Sequence, residues 1–117
     1  MSKYNLENRL VNFSCTIIKI SEKLKRTKAA NHLSGQIIRS GTSTALNYGE
    51  AQSAESKKDF IHKFKIILKE LREVNISLKI IIKSELCNDV DAINKSLVEN
   101  NELISIFVKS IATAEKR

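Results

Sequence analysis

Basic side chains recur along one face of the longest periodic segment of the sequence, residues 56–84. Six of them fall within roughly an 80° arc if the segment is a helix that turns about 100° per residue. They form what we call the central basic stripe: Lys58, Lys65, Lys69, Arg72, Lys79 and Lys83. A cationic face of this kind neutralises phosphate groups, so the stripe is predicted to contact nucleic acid, either RNA or DNA.

A second set of basic residues lies near the N-terminus, within roughly a 100° arc by the same helical geometry. This N-terminal basic stripe consists of Arg9, Lys19, Lys23 and Arg26. If the two stripes face the same way, they would act together on one polyanion. The alternative is that both are solvated faces that keep the protein soluble. No aromatic residue lies among them to stack on bases, which argues against recognition of a single strand.

The residues that usually carry catalysis or bind metals are sparse and scattered. His32 and His62 are isolated, and the sequence has no HxxxH, ExxH or CxxC spacing. Cys15 and Cys87 lie far apart, and both are expected to be small packing residues in a reducing compartment. No glycine is followed by the Lys-Ser/Thr of a phosphate-binding loop. The sequence therefore predicts a protein without enzymatic activity, cofactor or metal.

A polar row follows one side of the second periodic segment. Its members step by four, three and three residues: Ser40, Thr44, Asn47 and Glu50. Asn47 and Glu50 are expected to form a buried hydrogen-bonded pair that sets the helix register, with Arg39 or Arg72 compensating the carboxylate. Asn100, at an apolar position of the last segment, is the expected polar partner. The alternative is that this row lines a ligand site.

Four periodic segments position these side chains. Apolar residues alternate at steps of three and four over residues 3–26, 31–51, 56–84 and 89–115, which is typical of helices packed in a bundle. Ser2, Ser56 and Asn88 or Asp89 are the expected N-caps of the first, third and fourth helices. With no proline and three glycines, the chain is predicted to fold as one all-α domain, residues 1–117, an antiparallel up-and-down four-helix bundle.

Two helices carry apolar residues outside their main seams, at steps of seven. They are Tyr4, Val11 and Ile18 on the first helix, and Ile61, Leu68 and Ile82 on the third, with Asn75 in the gap. Each helix of a monomeric bundle keeps one wet face, so these extra stripes favour a homo-oligomer over wide core faces.

The net charge is +7, and the positive excess is concentrated in residues 1–30 and 56–84. No N-terminal stretch is typical of a signal peptide, and no run approaches the roughly 20 apolar residues of a membrane span. We therefore expect a cytoplasmic protein that does not cross a membrane.

The central third of the chain resembles a known family through residues on the second and third predicted helices. They are Arg39, Ser40, Ser43, Asn47 and Glu50, followed by Ser56, Asp59, Phe60, Lys63, Leu68, Lys69, Glu70 and Glu73. In this spacing they resemble the bacterial four-helix bundle proteins first noticed in intervening sequences of large-subunit ribosomal RNA genes. That family includes the accessory variability determinant of diversity-generating retroelements.

The resemblance implies a bundle that assembles into a ring-like homopentamer with basic surfaces. In the retroelement members, that assembly binds a reverse transcriptase and nucleic acid. The resemblance thus implies an oligomeric scaffold whose partners are nucleic acid and a reverse transcriptase or another protein. The alternative is a protein–protein interaction module with no nucleic-acid role, in which the lysines serve only solubility.

Overall fold

Four helices lie side by side in the computed structural model, which describes residues 3–117 and the side chains from residue 5 onward. They are α1 (Lys3–Glu22), α2 (Lys28–Gln52), α3 (Lys57–Lys83) and α4 (Val90–Lys116). Each helix packs against the next in the chain, and α1 also contacts α4. Within the described residues, the backbones of α1 and α3 stay more than 8 Å apart, as do those of α2 and α4, although the Tyr48 and Phe107 rings meet across the core. The prediction of an all-α four-helix bundle is confirmed.

Side-chain caps begin three of the helices. Ser56 Oγ accepts a hydrogen bond from the Asp59 amide at 3.0 Å, and Asp89 Oδ1 accepts one from the Ala92 amide at 3.1 Å, as predicted. Thr27 Oγ1 accepts from the Ala30 amide at 3.1 Å, and for this reason α2 begins three residues earlier than predicted. The cap predicted at Ser2 lies outside the described residues.

Two connections meet at one end of the bundle, which explains why α1 ends at Glu22 and not near residue 26. The Lys25 amide donates to the Leu86 carbonyl at 2.8 Å, so the chain leaves the helix to pair with the α3–α4 connection. That connection starts at Glu85, whose positive φ of 56° lets the next amide bond back to Ile81 at 3.0 Å. Cys87 is buried in it, as expected.

The apolar seams of the helices form one continuous core. The predicted seam of α1 is buried throughout, from Leu6 to Leu24. That of α3 is buried from Phe64 to Ile81, whereas its first member, Phe60, is half-buried. On α4 the buried face is displaced: Leu103 is fully buried, whereas Leu97 and Ile104 are only half-buried. All three are apolar at helical spacing, so periodicity alone does not choose between them.

The extra apolar stripes of α1 and α3 differ in how far they are buried. Leu68 and Ile82 pack against the core as part of a wide buried face of α3. On α1, Val11 and Ile18 stay on the surface of the chain, at 46% and 37% exposure. Cys15 lies between them and is exposed, so the expectation that it is a packing residue is wrong. The side chain of Tyr4 lies outside those described.

A glycine lets α1 and α2 approach closely. A Cβ built on Gly41 would lie 2.9 Å from Ile17 Cγ2, closer than side-chain atoms pack in proteins. Beside it, the Ser14 hydroxyl donates to the Gly41 carbonyl at 3.0 Å. The expected role of small residues on α2, to admit a neighbouring helix, is confirmed at this position. None of the helices between residues 3 and 117 is long and apolar enough to cross a membrane.

We expect Gly41→Ala to lower the free energy of unfolding by about 1 kcal/mol. Overpacking against Ile17 costs about 1–3 kcal/mol, which exceeds the gain in helix propensity of about 1 kcal/mol. Gly35 and Gly49 are matched controls, because an added Cβ there meets nothing within 4 Å. Gly35→Ala and Gly49→Ala should raise stability by up to about 1 kcal/mol in urea denaturation. A Gly41→Ala variant as stable as these controls would contradict the close contact.

Candidate nucleic-acid interface

The central basic stripe lies on the outer face of α3. All six of its side chains are exposed, as a nucleic-acid contact requires. Lys65 is paired with Glu115 at 3.2 Å, but both side chains are about half exposed, and an ion pair of this kind contributes little to stability. The other five make no ion pair within residues 3–117. This face therefore carries uncompensated positive charge.

Two exposed apolar side chains lie within and beside the same face, which the sequence reasoning did not single out. Ile76 is 57% exposed, one turn from both Arg72 and Lys79, and Ile80 is 45% exposed on the next turn. The position of Ile76 could have been derived from the sequence, because helical geometry places it within the basic arc. This face of α3 is thus cationic along its length and also carries apolar side chains in its C-terminal half.

Two of the four members of the N-terminal basic stripe pair with carboxylates in the structure. Arg9 Nε donates to Glu99 at 3.0 Å, and its Nη2 lies 3.0 Å from Glu102. The hydrogen bond to Glu99 raises the pKa of the guanidinium. Lys23 Nζ donates to Asp89 at 2.6 Å. Arg9 therefore ties α1 to α4, whereas the Lys23 pair is about as exposed as that of Lys65 and contributes little.

Half of the N-terminal basic stripe is unpaired. Lys19 and Arg26 are exposed, and neither makes an ion pair within the described chain. Lys19 lies on α1, whose backbone stays more than 8 Å from that of α3 in the described residues. Arg26 follows Lys25, whose amide donates to the connection at the end of α3. A joint basic face within one chain stays a prediction.

Arg39 is held by two carboxylates of α3, and not by the partners predicted for it. Its Nη1 lies 2.7 Å from Glu70 Oε2, and its Nη2 lies 2.6 Å from Glu73 Oε1. The same Nη2 donates to the Ser40 hydroxyl at 3.0 Å. The guanidinium thus cross-links α2 and α3 through charge-assisted hydrogen bonds.

The predicted pairing of Asn47 with Glu50 is not present. Glu50 is exposed and accepts from Lys63 at 2.8 Å, while the Asn47 amide donates to the Ser43 carbonyl at 2.9 Å. Glu50 does not pair with Asn47 because position 50 faces solvent, where a carboxylate needs no buried partner. Asn100 is buried, but it donates to the Leu71 carbonyl at 2.9 Å and not to this pair.

Glu70 is the buried charge that sequence reasoning missed. Its side chain is 5% exposed, and Oε1 has no hydrogen-bond partner within residues 3–117. The available signal was its place beside Leu71 in the apolar seam of α3, where a carboxylate must be paired. Arg39 therefore compensates a charge inside the bundle, and it is the only member of the predicted polar network of Arg39, Asn47 and Glu50 that does so in the described residues.

Groups suited to metal binding do not assemble in the described part of the chain. His32 and His62 are both exposed on separate helices. No three His, Cys, Asp or Glu side chains between residues 3 and 117 come close enough to hold a metal ion.

Nearly the whole chain matches a known family. Residues 3–108 match the family described as 23S rRNA-intervening sequence protein. The chain belongs to this family. The family description extends the earlier resemblance, which rested on the central third, to all four helices.

A solved structure supports the same assignment for this 23S rRNA-intervening sequence family member. It is the 1.70 Å crystal structure of a protein of unknown function from the S23 ribosomal protein family of Bacteroides thetaiotaomicron VPI-5482. The two chains are 28% identical with a TM-score of 0.85, over 96% of this chain and 99% of the other. No curated protein matches the chain. Neither the family nor the neighbouring structure is described with an enzymatic activity.

We expect the ion pair of Arg39 with Glu73 to make stability fall in acid. The hydrogen bond from Arg39 lowers the pKa of Glu73 from its ordinary value of 4.5. A lowered folded-state pKa contributes stability above the unfolded value, and this is lost as pH falls through the folded value. Glu73→Gln should therefore lose less stability than the wild type between about pH 6 and about pH 3 in urea denaturation.

The matched control for this prediction is Glu55→Gln, since Glu55 is exposed and makes no ion pair in the described residues. Its stability should follow the wild-type pH dependence. Identical curves for Glu73→Gln and the wild type would show that the Arg39 contact is not formed in solution.

Proposed function

We propose that this protein is a homo-oligomeric, non-enzymatic scaffold of the cytoplasm that binds nucleic acid through the central basic stripe. One observation carries the proposal: five of the six cationic side chains on α3 are exposed and make no ion pair within residues 3–117. The family description refers to an intervening sequence of 23S rRNA, and the solved neighbour is from the S23 ribosomal protein family. Both favour RNA as the partner.

The length and rigidity of the stripe suit a structured nucleic acid. From Lys58 to Lys83 it extends about 38 Å along α3, at about 1.5 Å per residue, which is close to the roughly 34–36 Å of one duplex turn. The stripe lacks aromatic side chains, so it would track phosphates and not stack on bases. Phosphate contacts position a partner without reading its sequence. Specificity would then come from the shape of the nucleic acid or from a partner protein.

Binding should weaken when the stripe is reversed in charge. We expect Lys69→Glu combined with Lys79→Glu to reduce affinity for a structured RNA by at least about tenfold, measured by fluorescence anisotropy at low salt. The slope of log affinity against log salt concentration should become shallower by roughly 1.5–2 units, because two fewer phosphates would be neutralised.

The matched control reverses two exposed lysines outside both stripes, Lys25→Glu with Lys109→Glu. It carries the same change in net charge, so affinity equal to that of the stripe variant would show that only overall charge matters. Wild-type protein that fails to bind either an RNA hairpin or a DNA duplex at low salt would refute the proposal.

The oligomeric part of the proposal rests on α1. Val11 and Ile18 form an exposed apolar stripe that the bundle itself leaves uncovered. Burial against another copy would remove that surface from water and repeat the basic face of α3 around the assembly. A ring-like homopentamer is the arrangement that the family resemblance implies.

We expect light scattering after size exclusion to give a mass above the 13.2 kDa of one chain. Val11→Glu combined with Ile18→Glu should shift the protein to a monomer, because it places charges in the proposed interface. Val98→Glu is the matched control, since Val98 is a 68% exposed apolar residue on α4. A monomeric wild type, or equal dissociation by Val98→Glu, would exclude the α1 interface.

A protein–protein interaction module is the second candidate. The exposure of Ile76 and Ile80 beside Arg72 and Lys79 favours it, because an acidic amphipathic segment would match both the apolar and the cationic side chains. A reverse transcriptase is the partner class that the family resemblance implies. The absence of RNA and DNA binding at low salt would favour this function over the first.

A further inference from the structure

The exposed apolar stripe of α1 is bounded by acidic side chains. Val11, Cys15 and Ile18 are exposed, and so are Glu7 and Glu22, which lie one turn beyond its two ends. At about 100° per residue, all five fall within roughly an 80° arc of the helix. Neither glutamate makes an ion pair within the described residues. We call these five residues the α1 ridge, which has an apolar centre and two acidic ends.

The outer face of α3 carries the same order of side chains with the opposite charge. Ile76 and Ile80 are 57% and 45% exposed, and Lys69 and Lys83 are exposed beyond them on either side. These four residues, the α3 ridge, fall within roughly a 60° arc. Neither lysine makes an ion pair between residues 3 and 117. The α3 ridge therefore has an apolar centre and two basic ends.

The two ridges also match in length. At about 1.5 Å per residue, the distance along the helix is about 22 Å from Glu7 to Glu22 and about 21 Å from Lys69 to Lys83. When the ridges are laid against each other, in either direction, each glutamate lies opposite a lysine and the apolar centres meet. The acidic amphipathic segment that suits the outer face of α3 is thus present on α1 of the same chain.

The charges at the ends disfavour contacts between identical ridges. Two α1 ridges related by a twofold axis would bring carboxylates together, and two α3 ridges would bring ammonium groups together. Contact between unlike ridges avoids both. It also leaves each chain with one free ridge of each kind, so that further copies add head to tail.

The two most exposed apolar side chains elsewhere in the described chain do not offer the same match. Val98 lies one turn from Lys95 and Glu102, and Leu46 lies one turn from Glu50. Each of these charges is already paired within the chain. Neither site therefore presents unpaired positive charge to an acidic ridge.

We propose that the α1 ridge of one copy packs against the α3 ridge of the next copy, with its glutamates paired to Lys69 and Lys83. This inference rests on the homo-oligomer proposed above and identifies the surface that receives α1. Lys58 and Lys65 precede the α3 ridge, so they stay open to phosphates in the assembly.

Reversing the charges of one ridge should weaken association, and reversing both should restore it. We expect Glu7→Lys with Glu22→Lys, or Lys69→Glu with Lys83→Glu, to raise the concentration of half-dissociation by about tenfold. The chain with all four changes keeps the wild-type net charge and again has opposite ridges, so it should associate like the wild type. Sedimentation equilibrium of the full-length protein without nucleic acid measures this.

The matched controls reverse exposed charges outside both ridges. They are Glu55→Lys with Glu85→Lys, and Lys25→Glu with Lys109→Glu. Both should associate like the wild type, and circular dichroism would establish that each variant is folded. The proposal is overturned if the four changes together restore nothing, or if the controls dissociate as readily as the ridge variants.

Failure of this inference can be distinguished from failure of the oligomer itself. A monomeric wild type would overturn both. If Val11→Glu with Ile18→Glu gives a monomer but charge reversal on α3 has no effect, α1 forms an interface with another surface, and only the pairing with α3 is overturned.

Cross-linking tests the same contact without changing any charge. Ile76 is at the midpoint of the α3 ridge and Cys15 is within one residue of the midpoint of the α1 ridge, so the two lie opposite each other in either direction. After Ile76→Cys, oxidation by copper–phenanthroline should give disulfide-linked species larger than a dimer, since Cys87 is buried. Peptide mass spectrometry should join Cys15 to the introduced cysteine. Val98→Cys is the control, and equal linkage of Cys15 to that position would overturn the proposal.

Discussion

The short connections between helices are the constraint on which the rest of the structure depends. Only residues 23–27, 53–56 and 84–89 separate the four helices. Connections of this length oblige each helix to run back beside the one before it, so α1 and α3 must lie across the diagonal. The same order leaves α1 and α4 to meet without a direct connection, and this is where the packing is loosest.

The contacts of α2 with α1 and with α3 each depend on a single residue of α2. Gly41 admits Ile17 of α1, because no larger side chain fits the distance between the helices. On the opposite side, Arg39 reaches α3 to compensate Glu70, a carboxylate that the core would otherwise bury at high cost. One contact is steric and the other electrostatic, and together they set the position of α2. The outer face of α3 takes no part in either contact, which leaves its lysines available to a partner.

The surface carries two kinds of unpartnered group, and they suggest different associations. Exposed lysines on α3 are suited to phosphates, whereas Val11 and Ile18 on α1 are suited to another apolar surface. Membership of the 23S rRNA-intervening sequence family is consistent with an RNA partner for the first. Because the two faces lie on diagonal helices, a copy docked on α1 would leave the α3 stripe of the same chain accessible. An oligomer and a nucleic-acid complex are therefore compatible in one assembly.

Four features could be predicted from the residue pattern: the number of helices, the caps at Ser56 and Asp89, the seams of α1 and α3, and the cationic face of α3. These depend on local periodicity and on hydrogen bonds within a few residues. Which charges are free depends on the packing of the helices. Arg9 and Lys23 are paired with α4, Arg39 with Glu70 and Glu73, and Glu50 with Lys63. The reason is that a side chain's position on its own helix shows its direction but not the residue opposite, which depends on how the four helices pack.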